Sequence, residues 1–161
     1  MVLGSSRILG LVGKGLIEDF SPDCLGGAGY DLRLGRLYRL KSDGFLGVSD
    51  RRTPKVEEIN SKSHTLKPGE YVLAETLERV NMPADLMARV LNRSTLFRCG
   101  CGLYNAVVDP GFTGTLTFGL KNLSDREFTV EKGARIAQIV FEEVEGETIK
   151  YDGKYQGGKV V

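Results

Sequence analysis

Short apolar segments separated by strong turn signals most limit what this chain can fold into. Three of these signals are Pro68-Gly69, Pro110-Gly111 and Lys132-Gly133. Glycine accepts positive φ in all three pairs, and proline presets the preceding turn residue in the first two. Each pair therefore favours a reversal of the chain between strands. Many short strands with regular turn signals predict an all-β fold, either a sandwich or a barrel-like jelly roll. A strand is expected after Gly29, where Tyr30, Leu32 and Leu34 alternate with polar residues, and further strands are expected at 71–77, 87–91, 101–108, 115–121, 126–130 and 135–144.

Helices are expected only as short additions to this β-fold. Residues 5–18 are predicted to form a helix because Ser5 or Ser6 can cap it and apolar side chains recur at helical spacing, although its glycines weaken it. A further helical turn is expected at 94–98. Residues 41–63 are polar and are predicted to form a surface loop or an edge hairpin.

Length and composition indicate one domain, residues 1–161, with a core of its own. A net charge of +1 argues against a nucleic-acid partner, and no apolar run reaches the roughly 18 residues of a membrane span. Three cysteines without a secretory signal fit a cytoplasmic location. Cys99 and Cys101 are expected to be small buried apolar residues, and His64 is expected to be exposed without a catalytic role.

The segment Arg93-Ser94-Thr95 with Arg98 is a candidate anion site. On a helical turn, residues at i and i+4 share a face, so Ser94 and Arg98 can point the same way. Guanidinium groups bind phosphate oxygens in bidentate fashion, and hydroxyls and turn amides add donors. The alternative is a solvated basic turn with a serine cap.

Asp109 is a candidate general base. It follows the apolar pair Val107-Val108 and precedes Pro110-Gly111, so its carboxylate stands at a strand end. A carboxylate held near a substrate can accept a proton from water. The alternative is an aspartate that bonds its own turn. Gly119, on the following strand, provides no second acid for two-step proton shuttling.

Two polar residues inside apolar strands need partners. A lone Asp31 in a strand is costly unless paired, so it either pairs with an arginine or helps to hold hydrated magnesium. Gln138 either orients a phosphate or bridges strands.

Taken together, these segments resemble the trimeric dUTPase and dCTP deaminase superfamily. The resembling motifs, in order, are 28–32 (AGYDL), 93–98 (RSTLFR), 108–114 (VDPGFTG) and 133–138 (GARIAQ). The tail 151–156 (YDGKYQ) resembles the deaminase branch and lacks the serine-containing, glycine-rich fifth motif of ordinary dUTPases.

The resemblance implies a distorted jelly roll of the dUTPase-like β-clip type, assembled as a homotrimer with sites at subunit boundaries. It also implies a deoxynucleoside triphosphate substrate with Mg²⁺ on its phosphates, helped through water by Asp31 at most. Asp109 would be catalytic, and residues 146–161 would close the site. The implied substrate-binding residues are Arg93, Ser94, Thr95, Arg98, Asn105, Val108, Phe112, Thr117, Phe118, Gln138, Tyr151, Lys154 and Gln156.

One departure from the family pattern separates its two chemistries. Deaminases of this family carry a glutamate ten residues after the aspartate of the third motif, where this chain has Gly119. With Asp109 retained and that glutamate missing, the chain resembles archaeal dUTPases with a deaminase-like tail, which implies hydrolysis of dUTP to dUMP and pyrophosphate. Two alternatives stay open: a dCTP deaminase, alone or bifunctional, and a non-catalytic dNTP-binding regulatory module.

Overall fold

The computed structural model describes residues 1–161 and contains two short helices and thirteen strands. The helices are α1 (Ser5–Val12) and α2 (Ser94–Arg98), and a 3-10 turn covers Pro22–Cys24. The strands are β1 (Ile17–Glu18), β2 (Leu25–Gly26), β3 (Gly29–Leu40), β4 (Phe45–Leu46), β5 (Arg51–Arg52), β6 (Val56–Glu58), β7 (Ser63–Leu66), β8 (Tyr71–Asn81), β9 (Leu86–Asn92), β10 (Cys101–Tyr104), β11 (Thr113–Asn122), β12 (Phe128–Glu131) and β13 (Arg135–Glu143).

The main sheet runs in the order β10-β11-β8-β3-β13-β9, and every pairing in it is antiparallel. The short strand β1 also pairs with β8, and β2 and β6 also pair with β3. β12 pairs with β7, and β4 pairs with β5 in a small separate hairpin. The predicted all-β fold is confirmed: the chain forms a nearly closed antiparallel sheet with two short helices.

Alternation along the long strands builds the core. Tyr30, Leu32 and Leu34 of β3 are fully buried, as are Ile139 and Phe141 of β13. Successive side chains of a strand point to opposite faces, so these i, i+2 sets line a single inner surface. The buried apolar residues form one continuous cluster, which holds the sheet around a common interior.

Several local expectations were wrong for clear reasons. The first helix ends at Val12 rather than residue 18, because Gly13 closes it and Gly15 turns the chain at φ 92°. β10 ends at Tyr104, and beyond it only Val108 makes an isolated bridge, to Ala88. These differences follow from the local cost of helical glycine and from pairing partners that strand propensity does not specify.

Two side-chain expectations also fail. Cys101 is buried as expected, but Cys99 is exposed at the end of α2. His64 lies on β7 with its Nε2 2.8 Å from Glu70 Oε1, and its side chain is mostly buried. The expected helical turn at 94–98 and the hairpin within 41–63 are confirmed. No helix of the structure has the length and apolarity needed to cross a bilayer.

Candidate functional site

A cavity of about 520 Å³ opens beside Asp109. The walls are formed by residues between β10 and β11, by β11 itself and the start of β8, by Leu40 and Thr53-Pro54, and by the C-terminal residues. We call it the Asp109 cavity. It is lined mainly by apolar side chains with a few polar ones among them, which is the usual composition of a small-molecule site. Expected site residues on its lining are Asn105, Val108, Asp109, Phe112, Thr117, Phe118 and Tyr151.

The carboxylate of Asp109 makes no hydrogen bond or salt bridge within the chain. Only its backbone is engaged, since its carbonyl accepts from the Phe112 amide at 3.2 Å to close the Pro110-Gly111 turn. The side chain is exposed and borders the Asp109 cavity. The alternative in which this aspartate caps its own turn is therefore not realised, and the carboxylate is free to meet a ligand.

A register shift in the sheet shapes the wall beside Asp109. Between Thr115 and Thr117 the pairing of β11 with β8 is irregular, and the Leu116 amide donates to Thr76 Oγ1 at 2.9 Å instead of to a backbone carbonyl. Such irregularities re-aim side chains at sheet edges and near sites. Here Thr115 donates to the buried Glu75 carboxylate at 2.7 Å.

Thr117 Oγ1 has no hydrogen-bond partner, although it is buried. No other buried side-chain polar atom of the chain is left in this way. Buried polar groups in folded proteins are nearly always satisfied, so an orphan on the lining of a cavity marks a place for a ligand or an ordered water.

Gly119 is covered by a tyrosine from the neighbouring strand. A Cβ built on Gly119 would lie 2.3 Å from Tyr71 Oη and 2.7 Å from two ring carbons of that residue. Real Cβ atoms do not approach other atoms so closely, so the Tyr71 phenol occupies the space that any side chain at position 119 would need. Tyr71 also lines the Asp109 cavity.

The C-terminal tail packs on the turn that carries Asp109. Gln156 accepts from the Thr113 amide at 2.9 Å and donates to the Gly111 carbonyl at 3.0 Å. The Tyr151 ring meets Phe112 edge-on with centroids 5.6 Å apart, and the Tyr151 amide donates to the Pro110 carbonyl at 2.8 Å. The tail thus holds the third motif in place through its backbone.

Some of the expected substrate-binding residues are already engaged within the chain. The amide and carbonyl of Val108 are both bonded to Ala88, at 2.8 and 2.9 Å. Phe118 is buried, with 3% of its surface exposed, so its side chain belongs to the core. Asn105 is exposed on the cavity lining and keeps its side-chain amide free.

A second group of motif residues meets around Asp31. The Asp31 carboxylate lies 3.2 Å from Arg93 Nε and 3.5 Å from Arg135 Nη1. Gln138 stands directly opposite Asp31 in the pairing of β13 with β3. We call these four residues the Asp31 cluster. It unites the first, second and fourth motifs, and two guanidinium groups against one carboxylate leave it with a net positive charge.

The helix α2 extends this positive region. Arg93 is its N-cap residue, and Ser94, Thr95 and Arg98 are all exposed. The guanidinium of Arg93 has five donors, of which the Asp31 pairing uses few, so donors remain for an anion. The alternative of a serine-capped basic turn is not realised, because no side chain caps this helix.

The structure does not bring all expected site residues into one place. None of Arg93, Ser94, Thr95, Arg98 or Gln138 lines the Asp109 cavity. Lys154 is also outside the lining, and its Nζ bonds Thr53 Oγ1 at 2.7 Å at the cavity rim. The expected site residues therefore fall into two separate groups, one around Asp109 and one around Asp31 and α2, which we call the two half-sites.

Sequence reasoning missed Tyr71, Glu75 and Arg135 as neighbours of these half-sites. Each reaches its place through pairing between strands that are distant in sequence. Two signals were available: Arg135 lies within the fourth motif, and Glu75 is a charged residue in the apolar run of β8, where it is only 7% exposed.

No metal cage is present among the side chains. The structure contains no group of three His, Cys, Asp or Glu side chains placed to hold an ion. Asp31, the one carboxylate expected to help magnesium through water, is engaged by two arginines. A magnesium ion at this site would therefore have to be carried by the phosphates of a bound ligand, as Mg²⁺ commonly is.

The sequence profile of the dCTP deaminase-like family matches residues 2–144. The fold and the four motifs are those of nucleotide-processing enzymes of this kind, and the chain belongs to the dCTP deaminase-like family. It is 36% identical over 149 residues to a probable deoxyuridine 5'-triphosphate nucleotidohydrolase of Methanothermobacter thermautotrophicus, covering 91% of this chain and 99% of that one.

Other relatives are named as dCTP deaminases. A dCTP deaminase of Thermococcus kodakarensis is 39% identical over 145 residues, covering 89% of this chain and 86% of that one. A dUMP-forming dCTP deaminase of Methanosphaerula palustris is 31% identical over 169 residues, with 98% and 91% covered.

Solved structures share the fold. A dCTP deaminase from Agrobacterium tumefaciens superposes with a TM-score of 0.71 at 23% identity, covering 87% of this chain and 47% of that one. The dUTPase of Staphylococcus bacteriophage 80alpha superposes with a TM-score of 0.54 at 16% identity, covering 88% and 97%.

Proposed function

We propose that the protein is a dUTP pyrophosphatase, which hydrolyses dUTP to dUMP and pyrophosphate. The observation that carries this proposal is the free carboxylate of Asp109 beside a nucleotide-sized cavity that offers no second acid on β11. Relatives named as dUTP nucleotidohydrolases, at 36% and 38% identity over about nine-tenths of the chain, support it.

Asp109 is the general base of this reaction. Its carboxylate orients a water and takes its proton while the water oxygen bonds to the α-phosphorus of dUTP. The bond from that phosphorus to the bridging oxygen breaks, and pyrophosphate leaves. Proton transfer to a positioned side chain contributes about 10²–10⁴-fold to a rate, which is a share that one free carboxylate can supply.

The Asp31 cluster and α2 bind the triphosphate. Arg93 and Arg98 neutralise charge on the leaving pyrophosphate, and Ser94, Thr95 and Gln138 add uncharged donors and acceptors. Lys154 contributes from the tail once it releases Thr53. A magnesium ion, when carried by the phosphates, would supply Lewis-acid stabilisation of the same charge.

A homotrimer would join the two half-sites. The Asp109 cavity of one protomer would face the Asp31 cluster and α2 of the next, and a heterologous contact of this kind closes as a ring. The separation of the half-sites within one chain supports this arrangement, because neither half alone offers both a base and a set of phosphate ligands.

Mixed oligomers test the shared site. Asp109→Asn and Arg98→Ala variants should each be nearly inactive, while their co-expressed mixture should regain activity. Random mixing in a trimer leaves about one site in four with both halves intact, so about a quarter of wild-type activity is expected. A mixture no more active than its two components would show that each site is built from one chain. Light scattering on the same samples gives the subunit number.

The main alternative is a dCTP deaminase, favoured by the several relatives of that name and by the tail. Deamination requires an acidic side chain that shuttles protons next to the cytosine ring. The family pattern has a glutamate for this task where this chain has Gly119, and Tyr71 covers that position. A regulatory dNTP-binding module is the third hypothesis. It does not account for the free carboxylate of Asp109, because binding alone needs no general base.

The deciding experiment is to incubate the purified protein with Mg²⁺ and either dUTP or dCTP, and to separate the products by anion exchange. Release of dUMP and pyrophosphate from dUTP alone is the expected result. Uracil nucleotides formed from dCTP would establish the deaminase instead. Binding of either nucleotide without turnover would establish the regulatory module.

A further inference from the structure

Tyr71 and Thr117 place two unused hydroxyls on one wall of the Asp109 cavity. Thr117 and Gly119 are two residues apart on β11, so they point to the same face, and the Tyr71 phenol covers Gly119 on that face. Tyr71 Oη has no hydrogen-bond partner among protein groups, and Thr117 Oγ1 is the orphaned buried hydroxyl described above.

The position of Tyr71 along the wall indicates which part of a nucleotide it meets. Asp109 stands before the first residue of β11, while Gly119 lies towards the other end of the same strand. With the α-phosphate near Asp109, the atoms furthest from the sugar lie towards Gly119. In a pyrimidine nucleotide the ring atom furthest from the sugar is C4, which lies opposite the sugar-bearing N1. C4 carries an oxo group in uracil and an amino group in cytosine.

We propose, building on the function above, that Tyr71 is a specificity-determining residue whose hydroxyl donates a hydrogen bond to the 4-oxo group of uracil. A phenol donates readily but accepts weakly, because its lone pair is delocalised into the ring, so it pairs better with a carbonyl than with an amino group. Thr117 Oγ1 lies on the same wall and supplies a second polar contact for the base.

The surroundings of Tyr71 keep its hydroxyl a donor. Burial raises the pKa of Tyr71, and the neighbouring phenol of Tyr104 raises it further. The two rings lie with centroids 6.5 Å apart. The proton of Tyr71 is therefore retained throughout the neutral range, and the contact with uracil does not depend on the pH there.

The test is Tyr71→Phe, which removes the hydroxyl and keeps the ring over Gly119. Calorimetry with dUMP and dCMP measures the preference for uracil without any turnover. Loss of one site hydrogen bond should lower the ratio of the two affinities about tenfold. Tyr104→Phe is the matched control, because it changes a neighbouring phenol that does not cover Gly119, and it should leave the ratio unchanged. A Tyr71→Phe ratio within about twofold of wild type, or a wild type that binds dUMP no better than dCMP, would overturn the inference.

Gly119→Ala tests the same contact from the other strand. Its Cβ displaces the phenol, so the preference should fall as far as in Tyr71→Phe, and the double variant should fall no further, since both changes remove one interaction. Additive losses would overturn the inference. A Tyr71-dependent preference in a protein that does not hydrolyse dUTP would sustain this assignment while refuting the proposed reaction. Hydrolysis of dUTP with a preference unaffected by Tyr71→Phe would support the proposed reaction and refute the assignment of Tyr71.

Discussion

Replacing Asp109 by asparagine should lower kcat for dUTP hydrolysis at least about 100-fold. The amide keeps the size of the side chain but cannot take a proton from water. Because the Asp109 carboxylate makes no bond to the protein, the substitution should disturb neither the turn nor the tail that packs on it. Steady-state kinetics and calorimetry with the imido analogue of dUTP should therefore show a lost rate with binding retained.

The matched control for this variant is Asp85→Asn. Asp85 is also an exposed aspartate in a turn beside a strand, but it does not border the Asp109 cavity. Its replacement should leave kcat unchanged. If Asp109→Asn hydrolysed dUTP at the wild-type rate, the attacking water would have to be activated by another group, and the mechanism proposed here would be wrong.

Replacing Glu78 by alanine should destabilise the protein by about 3 kcal/mol. Its fully buried carboxylate accepts from Arg33 Nε at 2.7 Å, from the Arg33 amide at 2.9 Å and from Tyr30 Oη at 3.2 Å. The hydrogen bond to Glu78 raises the pKa of Arg33, so the guanidinium keeps its charge. Removing the carboxylate leaves the buried Tyr30 hydroxyl and a largely buried guanidinium without their partner.

Denaturant unfolding at one fixed protein concentration measures this loss, since subunit association contributes to stability. Glu78→Gln, which keeps the shape and one acceptor, should cost less than Glu78→Ala. Glu57→Ala is the surface control: Glu57 pairs with Lys41 at 3.0 Å but is well exposed, so the unfolding midpoint should not move. A Glu78→Ala midpoint equal to that of Glu57→Ala would show that the buried pair does not stabilise the fold.

Glu78 and Asp109 show that carboxylates have two different roles in this protein. Glu78 is buried with every acceptor engaged, so its effect is on folding. Asp109 is exposed at a cavity with no partner, so its effect is on chemistry. Sequence motifs distinguished them only partly, since Asp109 lies in a recognisable turn, while Glu78 is a charged residue of β8 whose complete burial no motif indicates.

Much of the fold could be predicted from local chemistry. The Pro-Gly turns, the alternation of β3 and the helical turn of α2 all depend on residues close in sequence, and the structure confirms them. The length of α1 and the end of β10 could not be predicted as well. Gly13 and Gly15 lower helix propensity without saying where the helix stops, and β10 ends where its pairing with β11 ends.

The half-sites, too, were predicted only in part from the sequence. The sequence alone determined the residue types of the candidate site, the order of its motifs and the absence of an acid at position 119, because these are properties of the chain itself. Only the tertiary structure decided that Asp31 pairs with Arg93 and Arg135, that Asp109 stands free, and that Tyr71 fills the space over Gly119. The physical reason is that these contacts join strands far apart in sequence, where sheet register and burial, rather than local propensity, determine which groups meet.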